Sequence, residues 1–452
     1  MARYAPNQRL AALLLEAGWT AAELAREVNA VGHAQGRHLS YTRSSIAHWL
    51  RGSRPRAPVP ELAALAFSRR LNRPVTAEDT GLSKLPPAQA ALPPDSTGEP
   101  APLDHLLLLT RGDTDPATRV LLRHLPFTPP RDATARWPVQ AAPLPAPVRH
   151  GRAAAPSDTH ALQAVIRTVV DLAAGHGGAY ARTAVAAYLA DDACPLLIQR
   201  ASRPLRRELF LRTAQLAHML GVMTDDAGHH ELAQRYFTAV LGLARQAGDR
   251  STFAIALRAM SLQALRLGHP RDAHALATLA ADTAGETAVD AVRAFVLIQR
   301  SRTAAGRRQP RLALALMDEA VGHHEQASGT SDPFATYPRA GLDYQRAAVL
   351  SALGRHADAV AALEDSTKHR GPQEHAPSAL THARLAETHL RLGHLDAACT
   401  HWHHFLELYP RLHSRRADQA LMGLRQALRP YSLNAHARSV LQQARPLAPR
   451  AG

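Results

Sequence analysis

The stretch LRLGHPRDAHALA, Leu265 to Ala277, sets a leucine before a glycine, then a short polar turn, an aspartate and a run of small residues. The same order returns in LSALGRHADAVAAL (350–363) and LRLGHLDAACTHW (390–402). AAGRRQPRLALALM (304–317) and DAGHHELAQRYF (226–237) are looser copies. Aligned on Gly228, Gly268, Gly306, Gly354 and Gly393, the copies are spaced by 40, 38, 48 and 39 residues. A repeat of that size is one helical hairpin. Glycine ends the first helix of each pair because a left-handed C-cap brings it no Cβ clash. Alanines after the turn let neighbouring helices approach closely. One hairpin cannot bury its own apolar face, so hairpins stack. The longest spacing contains SGTSDPFATYP (328–338), an inserted loop. ADQALMGLRQAL (417–428) and NAHARSVLQQA (434–444) read as capping helices.

From Thr159 to about Arg445 the chain is nearly all helix former, with apolar residues at helical spacing and no strand-like alternation. Over roughly 200–445 it resembles tetratricopeptide repeats, in a degenerate form longer than the usual repeat of about 34 residues. The resemblance implies an all-α architecture ending in an α-solenoid. Its concave surface would take a ligand, a peptide or a protein partner.

Ahead of the repeats lies a compact segment with a different pattern. QRLAALLLEAG (8–18) sets Leu10, Leu13, Leu14 and Ala17 on one face. TAAELAREVNAVG (20–32) opens on Thr20 with Glu23 three residues later, a capping box. A third helix starts from Thr42 as N-cap and runs from Arg43 to Arg51, where Gly52 stops it. Ile46, Trp49 and Leu50 fill its inner face, which leaves Arg43, Ser44, Ser45, Ala47 and His48 outside. PVPELAALAFSRRL (58–71) is a fourth, entered on prolines that suit a first turn.

Short helices with a small polar third one ending in Trp-Leu-Arg-Gly resemble the lambda-repressor-like (Xre/Cro) helix-turn-helix. AHWLRGSRPRAPVPELAALAFSRRLNRPVT (47–76) is similar to a subgroup in which that domain precedes a tetratricopeptide-like region, in regulators of high-GC filamentous bacteria. HGGAYARTAVAAYL (176–189), AGHHELAQRYFTAVLGLARQAGD (227–249) and ALRAMSLQALRLG (256–268) match the second part of such proteins.

The resemblance implies a sequence-specific, double-stranded-DNA-binding transcriptional regulator whose repeats sense an effector or dimerise. The third helix enters the major groove in this motif. Thr42, Arg43, Ser44, Ser45 and His48 are then the residues facing DNA, with Arg43 able to donate two hydrogen bonds to guanine. Arg51, Arg54 and Arg56 follow and would lie near phosphate. Trp49 reads as core, not as a base-stacking residue. A homodimer reading two half-sites about 34 Å apart is expected.

Two features depart from the family pattern. The link NAVGHAQGRHLSY (29–41) is longer than the usual tight turn, which leaves open the docking angle of the third helix and whether Gly32, Gly36, Arg37 and His38 make a loop that touches DNA or one that is simply solvent-exposed. Thr20-Ala21-Ala22 replaces a phosphate-gripping glutamine. The alternative reading is a helical-repeat adaptor with a minor DNA anchor.

Composition bounds these readings. The 452 residues carry a formal net charge of +15 and a pI of about 10.7, yet Lys84 and Lys368 are the only lysines. Arginine with abundant alanine, leucine and proline reflects codon bias as readily as polyanion binding, so arrangement outweighs bulk charge. LPPAQAALPPDSTGEPAP (85–102) and RWPVQAAPLPAPVRHGRAAAPSD (136–158) mark 83–158 as a linker carrying short helices near 103–109 and 118–125. The expected organisation is a helix-turn-helix domain over 1–82, that linker, a repeat domain over 159–445 and a tail over 446–452.

No apolar run is long enough for a membrane span, and MARYAPNQRL has no apolar h-region, so no secretory leader is expected. Cys194 and Cys399 suggest no disulfide framework, which suits a cytoplasmic, nucleoid-associated protein. HWHH (401–404) and GHH (228–230) lack a recognisable ligand set and read as surface histidines, so no metal is expected. The motifs of nucleophile elbows, zinc proteases, P-loops and dinucleotide folds are missing. The chain is read as a non-enzyme without cofactor.

Overall fold

A computed structural model describes residues 7–34, 39–56, 58–71, 75, 77, 79–82, 101–123, 125–129, 137, 144–147, 152–330 and 332–449. They fall into two compact units, Met1–Pro100 and Ala101–Gly452. Among the described residues the structure is helical, with one isolated parallel bridge between Ala153 and Arg200. None of these helices is long and apolar enough to cross a membrane.

The first unit holds α1 (Gln8–Ala17), α2 (Ala21–Ala34), α3 (Arg43–Leu50) and α4 (Val59–Leu71). Leu10, Leu24, Val28, Ile46, Trp49, Leu62 and Phe67 meet in one core. Both ends of the segment are sewn together by Asn7. Its side chain caps α1 by accepting from the Leu10 N–H at 3.1 Å and donates to the Thr80 carbonyl at 2.9 Å. The Thr20–Glu23 capping box forms as expected, with Glu23 accepting from the Thr20 N–H at 2.7 Å.

In the second unit, α5 (Pro102–Thr114) and α6 (Pro116–Arg123) arise inside the proline-rich stretch read as linker. They belong to the repeat unit by burial. Leu103, Leu106 and Leu109 are enclosed, and α5 packs on the later helix α11 (His230–Ala247). The Asp113 carboxylate, fully buried, takes both ends of the Arg182 guanidinium at 2.5 and 2.8 Å and the Tyr236 hydroxyl at 2.9 Å. Burial alone would raise Asp113. The Arg182 hydrogen bonds and charge, helped by Tyr236 and Arg123, outweigh it and hold the carboxyl below its ordinary value. Residues 83–100 lie outside the described ones.

Next come α7 (Pro156–His176), α8 (Arg182–Tyr188) and α9 (Cys194–Leu197), the last two joined by a π-turn at Leu189–Ala193. Five hairpins follow. They pair α10 (Arg203–Asp226) with α11, α12 (Arg250–Arg266) with α13 (Pro270–Ala284), and α14 (Asp290–Gly306) with α15 (Pro310–Gln326). They continue with α16 (Arg339–Ala352) against α17 (His356–Lys368) and α18 (His375–Arg391) against α19 (Leu395–Leu408). The expected capping helices are α20 (Arg415–Leu428) and α21 (Ala435–Ala444). The architecture is an all-α array of tetratricopeptide-like hairpins.

Two devices recur in every hairpin. The backbone N–H groups of His229, His269, Gln309, Arg355 and His394 each bond the carbonyl five residues back, the Schellman closure of a helix. Small buried residues recur in both helices of a pair: the Ser261 hydroxyl donates to the Ala273 carbonyl at 2.7 Å and the Ser301 hydroxyl to the Ala313 carbonyl at 2.6 Å, and Gly221, Ala233, Ala347, Ala359, Ala386 and Ala398 are buried. At Gly221 a Cβ would come within 2.6 Å of the Phe237 ring, so the first crossing admits no larger residue.

The turn residue has φ of 91° at Gly228, 86° at Gly268, 77° at Gly354 and 80° at Gly393. The third turn corrects the sequence alignment. Gly306 is still helical, and Arg308 takes the left-handed position with φ 59°. The repeat register therefore runs through 308 and not 306.

The array's ends meet. Asp226, at the end of α10, accepts from the Gly178 N–H at 2.8 Å and from the Ser414 hydroxyl at 2.9 Å. The His413 N–H donates to the His176 carbonyl at 2.7 Å.

Cys194 and Cys399 are both buried and free. Of the histidines expected at the surface, His404 is exposed and His401 departs from the expectation. His401 is half-buried, with its ring stacked on His382 and His389, and its Nδ1 lies 3.2 Å from that of His382. Among the described residues no group of three or more histidines, cysteines or carboxylates is placed to hold a metal. Burial, then neighbouring histidines, pushes His382 and His401 down to about 4. Burial followed by the Arg258 charge takes His218 down to about 3.

Those values lie below the ordinary histidine pKa of about 6.5, so unfolding takes up protons between the two. The stability these rings contribute is fully present above about pH 6.5 and is lost as pH falls toward 4. A thermal melt of the second unit should drop steadily over that window, and His382→Gln with His401→Gln should flatten the slope. A melting temperature indifferent to pH there would contradict this account.

Candidate nucleic-acid interface

α3 is eight residues long and owes its place to its inner side. Ile46 is wholly enclosed, and Trp49 lies edge-on to Tyr41 with ring centroids 5.1 Å apart. Leu50 is half-buried against the same core. With those residues fixed, Arg43, Ser44 and His48 are exposed, and Ser45 and Ala47 are partly so. Arg51, Arg54 and Arg56 are exposed beyond the helix end. The expected residues of α3 are therefore exposed or partly so, as are the three arginines that follow it. No carboxylate occurs between Tyr41 and Pro60 to neutralise them.

Thr42 occupies the N-cap, but its hydroxyl contacts the Ser44 hydroxyl at 2.7 Å and makes no cap bond of its own. The Ser45 hydroxyl accepts from the Thr42 N–H at 3.3 Å. Ser44 and Ser45 are thus engaged locally, each keeping capacity for a further contact. The Arg51 Nε donates to the Ala47 carbonyl at 3.2 Å and its Nη2 lies 3.4 Å from His48 Nδ1, which draws Arg51 back along the helix.

The long turn before α3 is shorter than its sequence suggested. α2 runs on to Ala34, so Gly32 is helical and buried, and the connection shrinks to 35–42. Gly36, Arg37 and His38 lie outside the described residues. Asn29 fixes the entry into α3: its side-chain amide donates to the Tyr41 carbonyl at 2.8 Å and accepts from the Tyr41 N–H at 2.9 Å. This two-point clasp was missed in the sequence. An asparagine amid the alanines and valines of a helix was its only trace.

The family described as "SP15 N-terminal domain" matches residues 10–83. That description is not of an Xre/Cro helix-turn-helix. No curated protein matches the chain. Among solved structures the chain is similar to one titled "Crystal structure of APC/C hetero-tetramer Cut9-Hcn1", at 14% identity and a TM-score of 0.33. The match covers 64% of this chain and 46% of that one, so it spans less than half of its length.

Proposed function

We propose that this is a DNA-anchored interaction protein, in which the hairpin array takes a protein or peptide partner and the four-helix unit holds the DNA backbone. The observation that carries the DNA part is the side of α3 described above: Arg43, His48, Arg51, Arg54 and Arg56 exposed together with no acid among them. Cationic side chains on one face release counterions from duplex phosphates, so affinity falls steeply with salt. The hairpin array supports the partner role because stacked repeats build extended binding surfaces.

A second reading, a sequence-specific transcriptional regulator acting as a homodimer, is favoured by the place of Arg43. The first residues of a recognition helix are those that reach base edges, and Arg43 opens α3.

Binding to the chain's own upstream DNA and to random DNA, measured over a salt series, tests both. Arg54→Ala should weaken all duplexes alike and reduce the salt slope by about one. Arg43→Ala should cost about 1–3 kcal/mol on the preferred sequence alone. Equal affinity of the unaltered protein for both duplexes leaves the anchor and removes the regulator. No binding at low salt removes both.

A further inference from the structure

The insertion at 328–338 lies back on the array that carries it. It leaves α15 after Gln326 and enters α16 at Arg339, yet its side chains reach the first helices of earlier hairpins. Arg212 of α10 donates to the Asp332 carboxylate at 2.8 Å. Phe334 is buried edge-on to the His218 ring of α10, with ring centroids 5.5 Å apart. Tyr337 stands edge-on to Phe295 of α14 at 4.8 Å, and its carbonyl lies 2.9 Å from His324 Nε2 of α15. Arg258 of α12 sets its guanidinium carbon 3.8 Å from the centre of the same Phe295 ring. These first helices are neighbours, α10 packing on α12 and α12 on α14.

The part of the insertion that docks is closed on itself. The Phe334 N–H donates to Asp332 Oδ1 at 2.9 Å. The Ala335 N–H and the Thr336 hydroxyl donate to the Asp332 carbonyl at 3.0 and 3.2 Å. One carboxylate oxygen of Asp332 thus holds the turn while the other, Oδ2, meets Arg212. An aspartate that bonds the backbone two residues on is a local turn device. All of these bonds lie within five residues, so a short separate peptide can carry the same turn, with its acid and its ring placed as they are here.

The seat is not fully satisfied by its present occupant. Among the described residues, His218 Nδ1, Arg258 Nε and Tyr337 Oη are buried without a hydrogen-bond partner. Unpaired buried polar groups weigh against the docked arrangement and leave room for a ligand that pairs them.

We propose that the row of first helices α10, α12 and α14 is a peptide-binding surface, which the insertion occupies as a tethered ligand. The partner is a peptide with a carboxylate two residues before an aromatic ring. Its acid takes Arg212, and its ring takes the place of Phe334 against His218. The inference rests on the reading that the array takes a protein or peptide partner, and adds the surface and the chemistry. A partner binds only when the insertion has left, so its apparent affinity falls with the fraction of chains still docked.

The test uses the full chain and a fluorescent peptide of the chain's own sequence, SGTSDPFATYP. A chain carrying Asp332→Ala with Phe334→Ala, whose insertion no longer docks, should bind this peptide about tenfold or more tighter than the unaltered chain. The same peptide with both residues replaced by alanine should bind neither. Adding Arg212→Met to the undocked chain should weaken binding about tenfold, as loss of a charge-assisted hydrogen bond does. Circular dichroism should show the array intact in each variant. In the unaltered chain, amide exchange over 332–337 should rise when the peptide is added. Equal binding by the docked and undocked chains, or exchange unchanged at millimolar peptide, would overturn the proposal.

Selection of displayed random peptides on the undocked chain separates this inference from the one beneath it. Binders that share the acid and the ring, and are lost with Arg212→Met, support the surface. Binders indifferent to Arg212 overturn it and keep the array as a peptide receptor. No binders, with the fluorescent peptide also unbound, remove the peptide reading as well.

Discussion

Arg182→Ala is expected to destabilise the second unit by about 3–5 kcal/mol, because it strands a buried carboxylate. Asp113 is fully enclosed and accepts from both guanidinium nitrogens and from Tyr236. Without Arg182 it retains the Tyr236 hydroxyl and, at 3.9 Å, the Arg123 guanidinium, which is itself partly exposed. Urea unfolding followed by circular dichroism measures the loss. Arg182→Met together with Asp113→Asn should recover much of it, since apolar or neutral replacement of both partners removes the uncompensated charge. A single-variant loss below about 1 kcal/mol, the range of an exposed pair, would show that α5 does not depend on this link.

Trp49→Ala should unfold the first unit. Truncating a buried tryptophan costs about 3–5 kcal/mol, a large share of the roughly 5–15 kcal/mol that holds a domain together. Trp49 is 4% exposed and meets Tyr41 and the shared core. The far-ultraviolet dichroism and amide dispersion of the isolated signals from residues 7–82 should collapse. Trp49→Phe, which retains an aromatic ring, should keep the fold and bind DNA within about threefold of the unaltered chain. A folded Trp49→Phe protein that no longer binds DNA would instead make Trp49 a base-stacking residue and reverse its assignment to the core.

The legible features were those set by spacing within one element. Ile46 and Trp49 turn inward because they lie three residues apart on a helix, and Arg43, Ser44 and His48 follow outward by geometry alone. The hairpins were legible because a left-handed turn demands glycine at four of five positions. The fifth misled for the same reason. Arg308 accepts φ 59°, at a cost of about 1–2 kcal/mol, and a nearby helical glycine took its place in the alignment.

Features made by distant partners left no mark in the pattern. Asp113 and Arg182 are 69 residues apart, and neither flanking sequence looks unusual. His401, read as a surface residue, stacks on His382 and His389 because α18 and α19 bring them face to face. The insertion was legible as a loop, but not that Asp332 reaches α10 across 120 residues. For the exposed side of α3, exposure was legible but the Asn29 clasp that fixes the approach to the helix was not.

The bonds from Asp226 to Gly178 and Ser414 also bear on how this architecture can change over time. An open row of hairpins lengthens or shortens one unit at a time, because each repeat answers only to its neighbours. Here the last helices must return to the end of α10, so the number of hairpins is itself a constraint. Duplicating or deleting one would pull Ser414 away from Asp226 and leave both ends unsealed. A change in the number of hairpins therefore acts on that seal directly, whereas a change within a loop such as 328–338 does not have to.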